Sequence, residues 1–211
     1  MPFTGKPFER LEAVAAPWMQ PNVDTDLIIR VERCAQVPRA ELGRHALETV
    51  RLRPDGSPDP GFVLNRPPFD RAGILVAGEN FGCGSSREMA VWALAGLGIR
   101  CVIAPSFGEI FFGNCFQNGV LPIRLPADQV AALAAGLLAD PTRAAWVIDL
   151  PGQTIRTGSG ETLAFEVEPL RRSMLIEGLD EIATTLRHAA SIETWQQGDR
   201  RRRPWAWPAA G

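Results

Sequence analysis

The stretch ENFGCGSSRE, residues 79–88, gathers side chains that can do chemistry: two glycines flank a cysteine, and two serines and an arginine follow. A short apolar run at 74–77 precedes it, and an Ala-rich apolar run at 90–97 follows. That pattern predicts a strand passing through a tight turn into a helix. A helix N-terminus presents unpaired N–H groups and partial positive charge, which suit an anion. Ser85 and Ser86 add adjustable donors, and Arg87 adds a planar fork matched to a carboxylate. The set reads as a carboxylate site beyond the end of a parallel strand, where open α/β sheets bind ligands.

Other chemistries fit the stretch less well. A phosphate loop needs G-x-x-x-x-G-K-[ST]; Gly78 and Gly82 are wrongly spaced and no lysine precedes the serines. A dinucleotide fingerprint finds only Gly82-x-Gly84. A nucleophilic Cys83 needs a base, and the two histidines, His45 and His188, stand in no companion motif. A tight turn alone explains Gly82 and Gly84 through their backbone freedom, but not Ser85, Ser86 and Arg87.

The elements that must position these residues follow from apolar runs and punctuation. Strands are expected at 73–78, 100–104 and 120–125, and helices at 85–97 and 106–116. Ser85 or Ser86 is the expected cap of the first helix, and Ser106 of the second. This strand–helix alternation predicts parallel pairing. A third helix is expected at 126–138, three short strands at 146–150, 153–157 and 162–166, and a helical region at 170–190 broken at Gly178. Residues 51–68, with five prolines, read as a loop. The expected organisation is one domain over 1–195 and a tail over 196–211 that carries Arg200, Arg201, Arg202 and Arg203 with two tryptophans.

Bulk composition narrows the function classes. The chain has 211 residues, a formal net charge of −2 and 45% hydrophobic residues. No overall basic balance favours nucleic acid, and no run approaches the ~20 apolar residues of a membrane helix. No signal-peptide pattern opens the sequence, so the cytoplasm is the expected location. The four cysteines, Cys34, Cys83, Cys101 and Cys115, form no C-x-x-C pair and read as reduced thiols; no metal site is expected in this chain.

Four motifs carry a resemblance. NVDTDLII (22–29), ENFGCGSSRE (79–88), VIAPSFGEIFFGNCFQNGVLPI (102–123) and GLDEIATTL (178–186) are similar, in order and spacing, to the small subunit of 3-isopropylmalate dehydratase, the swivelling-domain part of the aconitase superfamily. The resemblance implies an α/β fold, a three-layer β/β/α swivelling domain with a mixed sheet. It implies isomerisation of 2-isopropylmalate and 3-isopropylmalate by dehydration and rehydration, in leucine biosynthesis. It also implies a large subunit that carries a [4Fe-4S] cluster, with the active site between the two chains and a small 2-hydroxy dicarboxylic acid as substrate. Cys83 is the one cysteine to suspect as a ligand, but the resemblance assigns the cluster's ligands to the other chain.

By match to the family motif, Ser85 is the expected base, acting as an alkoxide, and Arg87 the clamp on a substrate carboxylate. Ser86 is expected to bond the substrate or cap the helix. Asp24, Thr25 and Asp26 are expected to act from behind, holding Arg87 or the turn; the alternative is an Asx-type turn before a strand at 27–31. Two residues depart from the family pattern: Met89 stands where histidine is usual, and Arg30 where proline is usual. They leave open a substrate of citramalate, dimethylmalate or homocitrate type, and a non-catalytic carboxylate-binding subunit.

Overall fold

The computed structural model describes residues 7–207. Its strands are β1 (Arg10–Trp18), β2 (Ala72–Ala77), β3 (Cys101–Ala104), β4 (Leu121–Arg124), β5 (Ala145–Asp149), β6 (Thr154–Arg156) and β7 (Thr162–Ala164). Its α-helices are α1 (Thr25–Ile28), α2 (Val31–Gln36), α3 (Glu48–Arg51), α4 (Met89–Leu97), α5 (Glu109–Gln117), α6 (Ala127–Ala139), α7 (Pro169–Glu177), α8 (Glu181–Leu186) and α9 (Ala189–Arg202). The strands form one mixed sheet in the order β4-β3-β2-β1-β5-β6-β7.

The half from β1 to β4 is parallel, and β5 to β7 is an antiparallel meander. β2 is buried at every position, as a parallel strand covered on both faces must be. β1 divides the halves, pairing parallel with β2 and antiparallel with β5. The apolar runs alone did not mark β1. Its sequence, RLEAVAAPW, is Ala-rich, and Pro17 argues against a central strand because it has no N–H to donate. Pro17 stands at the strand's penultimate position, where the ladder is about to end.

Four expectations need correction. Residues 27–31 are not a strand: Asp24 accepts the Leu27 N–H at 2.7 Å and caps the short helix α1. The helix after the glycine turn starts at Met89, with Glu88 at its cap position, so neither Ser85 nor Ser86 caps it. α5 starts at Glu109 after Gly108, and Ser106 instead accepts the Asn80 N–H at 2.8 Å. The C-terminal helical region is three helices. α7 ends at Gly178 in the left-handed conformation, and α9 continues unbroken through the expected start of the tail at 196. Residues 208–211 of that tail lie outside the described residues.

Candidate functional site

The functional stretch is a continuation of β2 beyond its regular end, held by loops on both sides. On the β1 side, Asn22 N–H donates to Glu79 O at 2.9 Å, Gly82 N–H to Val23 O at 2.7 Å and Thr25 N–H to Cys83 O at 3.0 Å. On the β3 side, Phe81 N–H donates to Ser106 O at 3.1 Å, and Gly108 N–H to Phe81 O at 2.9 Å. Asn22 and Asn80 both take positive φ, 54° and 56°, and Asn80 Nδ2–H donates to Asn22 Oδ1 at 2.8 Å. Asparagine tolerates that conformation, which was the one sequence signal for these two positions.

Phe81 anchors the loop from below. It has no exposed surface and makes edge contacts with Trp18, Phe107 and Phe111. The neighbouring Gly82 has φ +73°, and a Cβ there would meet Phe111 ring carbon at 2.2 Å. Gly84 has φ +91° and packs on Asp24. Glycine is therefore required where the chain rises over the aromatic cluster and turns toward the site.

This framework brings two segments 60 residues apart into contact. Ser85 Oγ lies 2.5 Å from Thr25 Oγ1, and either hydroxyl can donate. Thr25 is 1% exposed, so its hydroxyl has little access to water and Ser85 is its hydrogen-bond partner. The Arg87 N–H donates to Ser85 Oγ at 3.4 Å. Arg87 reaches back across the same gap: Nη1 and Nη2 donate to the two oxygens of Asp26 at 2.6 and 2.7 Å, and Nη1 also to Ile29 O at 3.3 Å. Asp24 stays with the cap of α1, and Ser86 is exposed.

The electrostatics follow from that geometry. The hydrogen bond from Arg87 holds the Asp26 carboxyl below the ordinary carboxylate range, and the same bond raises Arg87 above its usual value. Asp26 takes one end of the guanidinium, through Nη1 and Nη2. Among the described residues, Nε–H and the second Nη2 proton meet no acceptor, which leaves them for another group along the adjacent edge. A carboxylate can therefore bind Arg87 while Asp26 stays in place.

Cys83 lies in the turn and Cys34 feels the charges of Arg87 and Asp26, whereas Cys101 and Cys115 are fully buried. Burial pushes the Cys101 and Cys115 thiols far up, and burial raises Cys34, which donates to Arg30 O at 3.5 Å. Among the described residues no group of three His, Cys, Asp or Glu is placed to hold a metal ion. His45 is engaged by Glu48 at 2.9 Å, beside Arg33.

Both departures from the family pattern have a place. Met89 opens α4, half-buried and packed against the core. Arg30 is exposed and pairs loosely with Glu32 at 3.2 Å. It borders an open cleft of about 480 Å³ with Asn22, Asp24, Asp26, Leu27 and Thr49.

Comparison with known proteins agrees across the chain. The aconitase C-terminal domain family matches residues 5–128. The 3-isopropylmalate dehydratase small subunit of Gluconacetobacter diazotrophicus is 48% identical over 94% of this chain and 95% of its own length. That of Rhodopseudomonas palustris strain HaA2 is also 48% identical, over 94% and 98%. The crystal structure of 3-isopropylmalate dehydratase from Methanocaldococcus jannaschii superposes with a TM-score of 0.64 at 28% identity, over 88% of this chain and 99% of that one.

Proposed function

This chain belongs to the 3-isopropylmalate dehydratase small-subunit family, within the aconitase C-terminal domain family, and from that premise we propose how its residues serve the reaction. It is the small subunit of a hydro-lyase of leucine biosynthesis and works with a large subunit. The reaction isomerises 2-isopropylmalate and 3-isopropylmalate through the dehydrated diacid. The [4Fe-4S] cluster belongs to the large subunit, and the assembly is cytoplasmic.

Dehydration removes a proton from a carbon beside a carboxylate and releases the hydroxyl of the adjacent carbon as hydroxide; the cluster of the large subunit, when bound, would supply the Lewis acid that lets it leave. In this proposal the proton goes to Ser85 Oγ, and rehydration returns it in the reverse sense. A serine is a weak acid, so its alkoxide needs support. Thr25 Oγ1 can turn its O–H toward Ser85, and the Arg87 backbone N–H donates to the same oxygen. Helix α4 begins four residues later, so the Thr25 hydroxyl and the Arg87 backbone N–H, not the helix's own N–H groups, supply that support.

Arg87 binds a substrate carboxylate along its Nε–Nη2 edge while Asp26 fixes the guanidinium from the end. Ser86, exposed beside it, adds a hydrogen bond to the substrate. Charge that develops on the carboxylate as the proton leaves is met by these donors. The observation that carries the assignment is the 2.5 Å contact of Ser85 with Thr25, next to an arginine held by Asp26.

A second reading concerns only the substrate. Arg30 puts an exposed guanidinium on the cleft beside Asp26, which favours another 2-hydroxy diacid, of citramalate, dimethylmalate or homocitrate type. The test is reconstitution with the large subunit, following the ultraviolet absorbance of the unsaturated intermediate. Absorbance with 2-isopropylmalate supports the first reading, and absorbance only with the other malates supports the second. Absorbance with none, from an assembled complex, overturns catalysis in favour of a binding subunit.

A further inference from the structure

Residues 85–88, between the glycine turn and α4, are held by their side chains. Ser85 and Arg87 are tied to the loop after β1, through Thr25, Asp26 and Ile29. Glu88 is tied to a different part of the chain. Its Oε1 accepts from Asn118 Nδ2 at 2.7 Å, 30 residues further along, where Asn118 stands at the C-cap of α5. The functional segment is therefore gripped by two separate elements, and only one of them carries the motif at 22–29.

Asn118 is suited to hold one geometry. Its Oδ1 accepts from Trp92 Nε1 at 2.8 Å and from Arg39 Nη2 at 3.0 Å. Its Nδ2 donates to Glu88 and also to Asn114 O at 2.9 Å. A side-chain amide has two donors and two acceptor positions, and all four are used here. Turning the amide over would set its N–H groups against the Trp92 and Arg39 donors, and its oxygen against a carboxylate and a carbonyl. One orientation survives. The Arg39 guanidinium sits over the Trp92 ring, 4.2 Å from its centre, and closes the network on the outside. The 3-10 segment Arg39–His45 grips α4 a second time, further along. Gly43 meets Gly96 backbone to backbone, and a Cβ on Gly43 would stand 2.2 Å from the Gly96 carbonyl carbon. Held at both ends, α4 cannot turn about its axis without breaking one contact or the other.

The backbone that bears Arg87 moves with α4. Arg87 O accepts the Ala90 N–H at 3.3 Å, and Glu88 O accepts the Val91 N–H at 2.9 Å. We propose that Asn118 is a positioning residue for the Arg87 clamp: through Glu88 it fixes the entry into α4, and with it the direction of the guanidinium. The inference rests on the reading of Arg87 as the group that binds a substrate carboxylate. The same bond engages the Glu88 carboxylate, so that it does not compete with substrate for the open edge of Arg87.

Kinetics of the complex with the large subunit test this, with 2-isopropylmalate as substrate and the absorbance of the unsaturated diacid as the signal. Glu88→Ala and Asn118→Ala are each expected to raise KM about tenfold, the worth of a hydrogen bond to a charged group, with kcat within about threefold of native. Together they should raise KM no further than the larger single change, because they break one bond. Glu88→Gln should recover most of the loss seen in Glu88→Ala, since its side-chain carbonyl accepts the same N–H. Arg87→Ala is the control on the underlying reading. A raised KM there with a native KM in Glu88→Ala overturns this inference alone, even if the urea midpoint of Glu88→Ala falls. A native KM in Arg87→Ala overturns the clamp and the inference together. Effects of Glu88→Ala and Asn118→Ala that multiply in the double variant also overturn it, because the two residues then act separately.

Discussion

The loops beyond β1 and β2 and the arm formed by α8 and α9 carry the same kinds of side chain, held in opposite ways. In the loops, hydroxyls, carboxylates and an arginine ride on backbone that is bonded to neighbours on both sides and anchored by a fully buried Phe81. In the arm, carboxylates and arginines ride on a helix exposed nearly all round. The first arrangement fixes a geometry before any ligand arrives, which is what a catalytic base and a bidentate clamp require. The second fixes no such geometry. Substitutions should accordingly change turnover in the loops and leave it nearly unchanged in the arm.

The largest expected effect is at Ser85. Ser85→Ala in the reconstituted complex should lower kcat by about 10²- to 10⁴-fold, the usual worth of a positioned general base, with the complex still assembled on a sizing column. Next is Gly82→Val, which places a side chain at positive φ and against the Phe111 ring. It should destabilise the chain by about 2 kcal/mol or more, seen as a lower midpoint in urea. An unchanged midpoint would show that the loop can move off the aromatic cluster.

How much of this contrast was legible in the sequence depends on how local the signal was. The parallel strands between Ala72 and Arg124 are short, continuous apolar runs separated by helix-length segments, and they appear where such runs stand. β1 was hidden because its alanines and Pro17 imitate a loop, although tertiary pairing puts it in the middle of the sheet. The motif residues at 79–88 were visible as chemistry, but their mutual geometry was not. Ser85 looked like a helix cap because serine before an apolar run usually is one; here the Thr25 hydroxyl, 60 residues away, takes that side chain instead. Ile28 and Ile29 suggested a strand, but the Asp24 cap starts a short helix that takes in Ile28 and ends at Ile29. The arginines at 200–203 were readable, yet nothing in the composition said that the helix bearing three of them would stand uncovered.

Smaller effects sharpen the contrast further. Asp26→Ala should raise KM by about tenfold, because Arg87 loses the partner that aims it. It should change stability by less than about 1 kcal/mol, since the Asp26 side chain is 60% exposed and screened by water. A KM unchanged by Asp26→Ala would mean that Arg87 needs no orienting partner. Acidification tests the same pair. Because the carboxyl of Asp26 is depressed, the stability it adds is present above the ordinary carboxylate pKa of about 3.9 and is lost only as pH falls through its own lower value. Substrate affinity should therefore show no loss from this pair between about pH 5 and pH 8. The smallest effect on catalysis is expected from removing α9. A chain ending at Leu186 should keep kcat within about twofold when assembled with its large subunit, because among the described residues no hydrogen bond ties α9 to the loops that hold Ser85.

The most direct test of Ser85 as the base is exchange of the substrate's carbon-bound hydrogen with deuterated solvent, read by mass spectrometry on the assembled complex. The native complex should exchange during turnover, and the Ser85→Ala complex should bind substrate with little change in affinity yet show almost no exchange. Exchange at the native rate in that variant would assign the proton to another group and contradict the account.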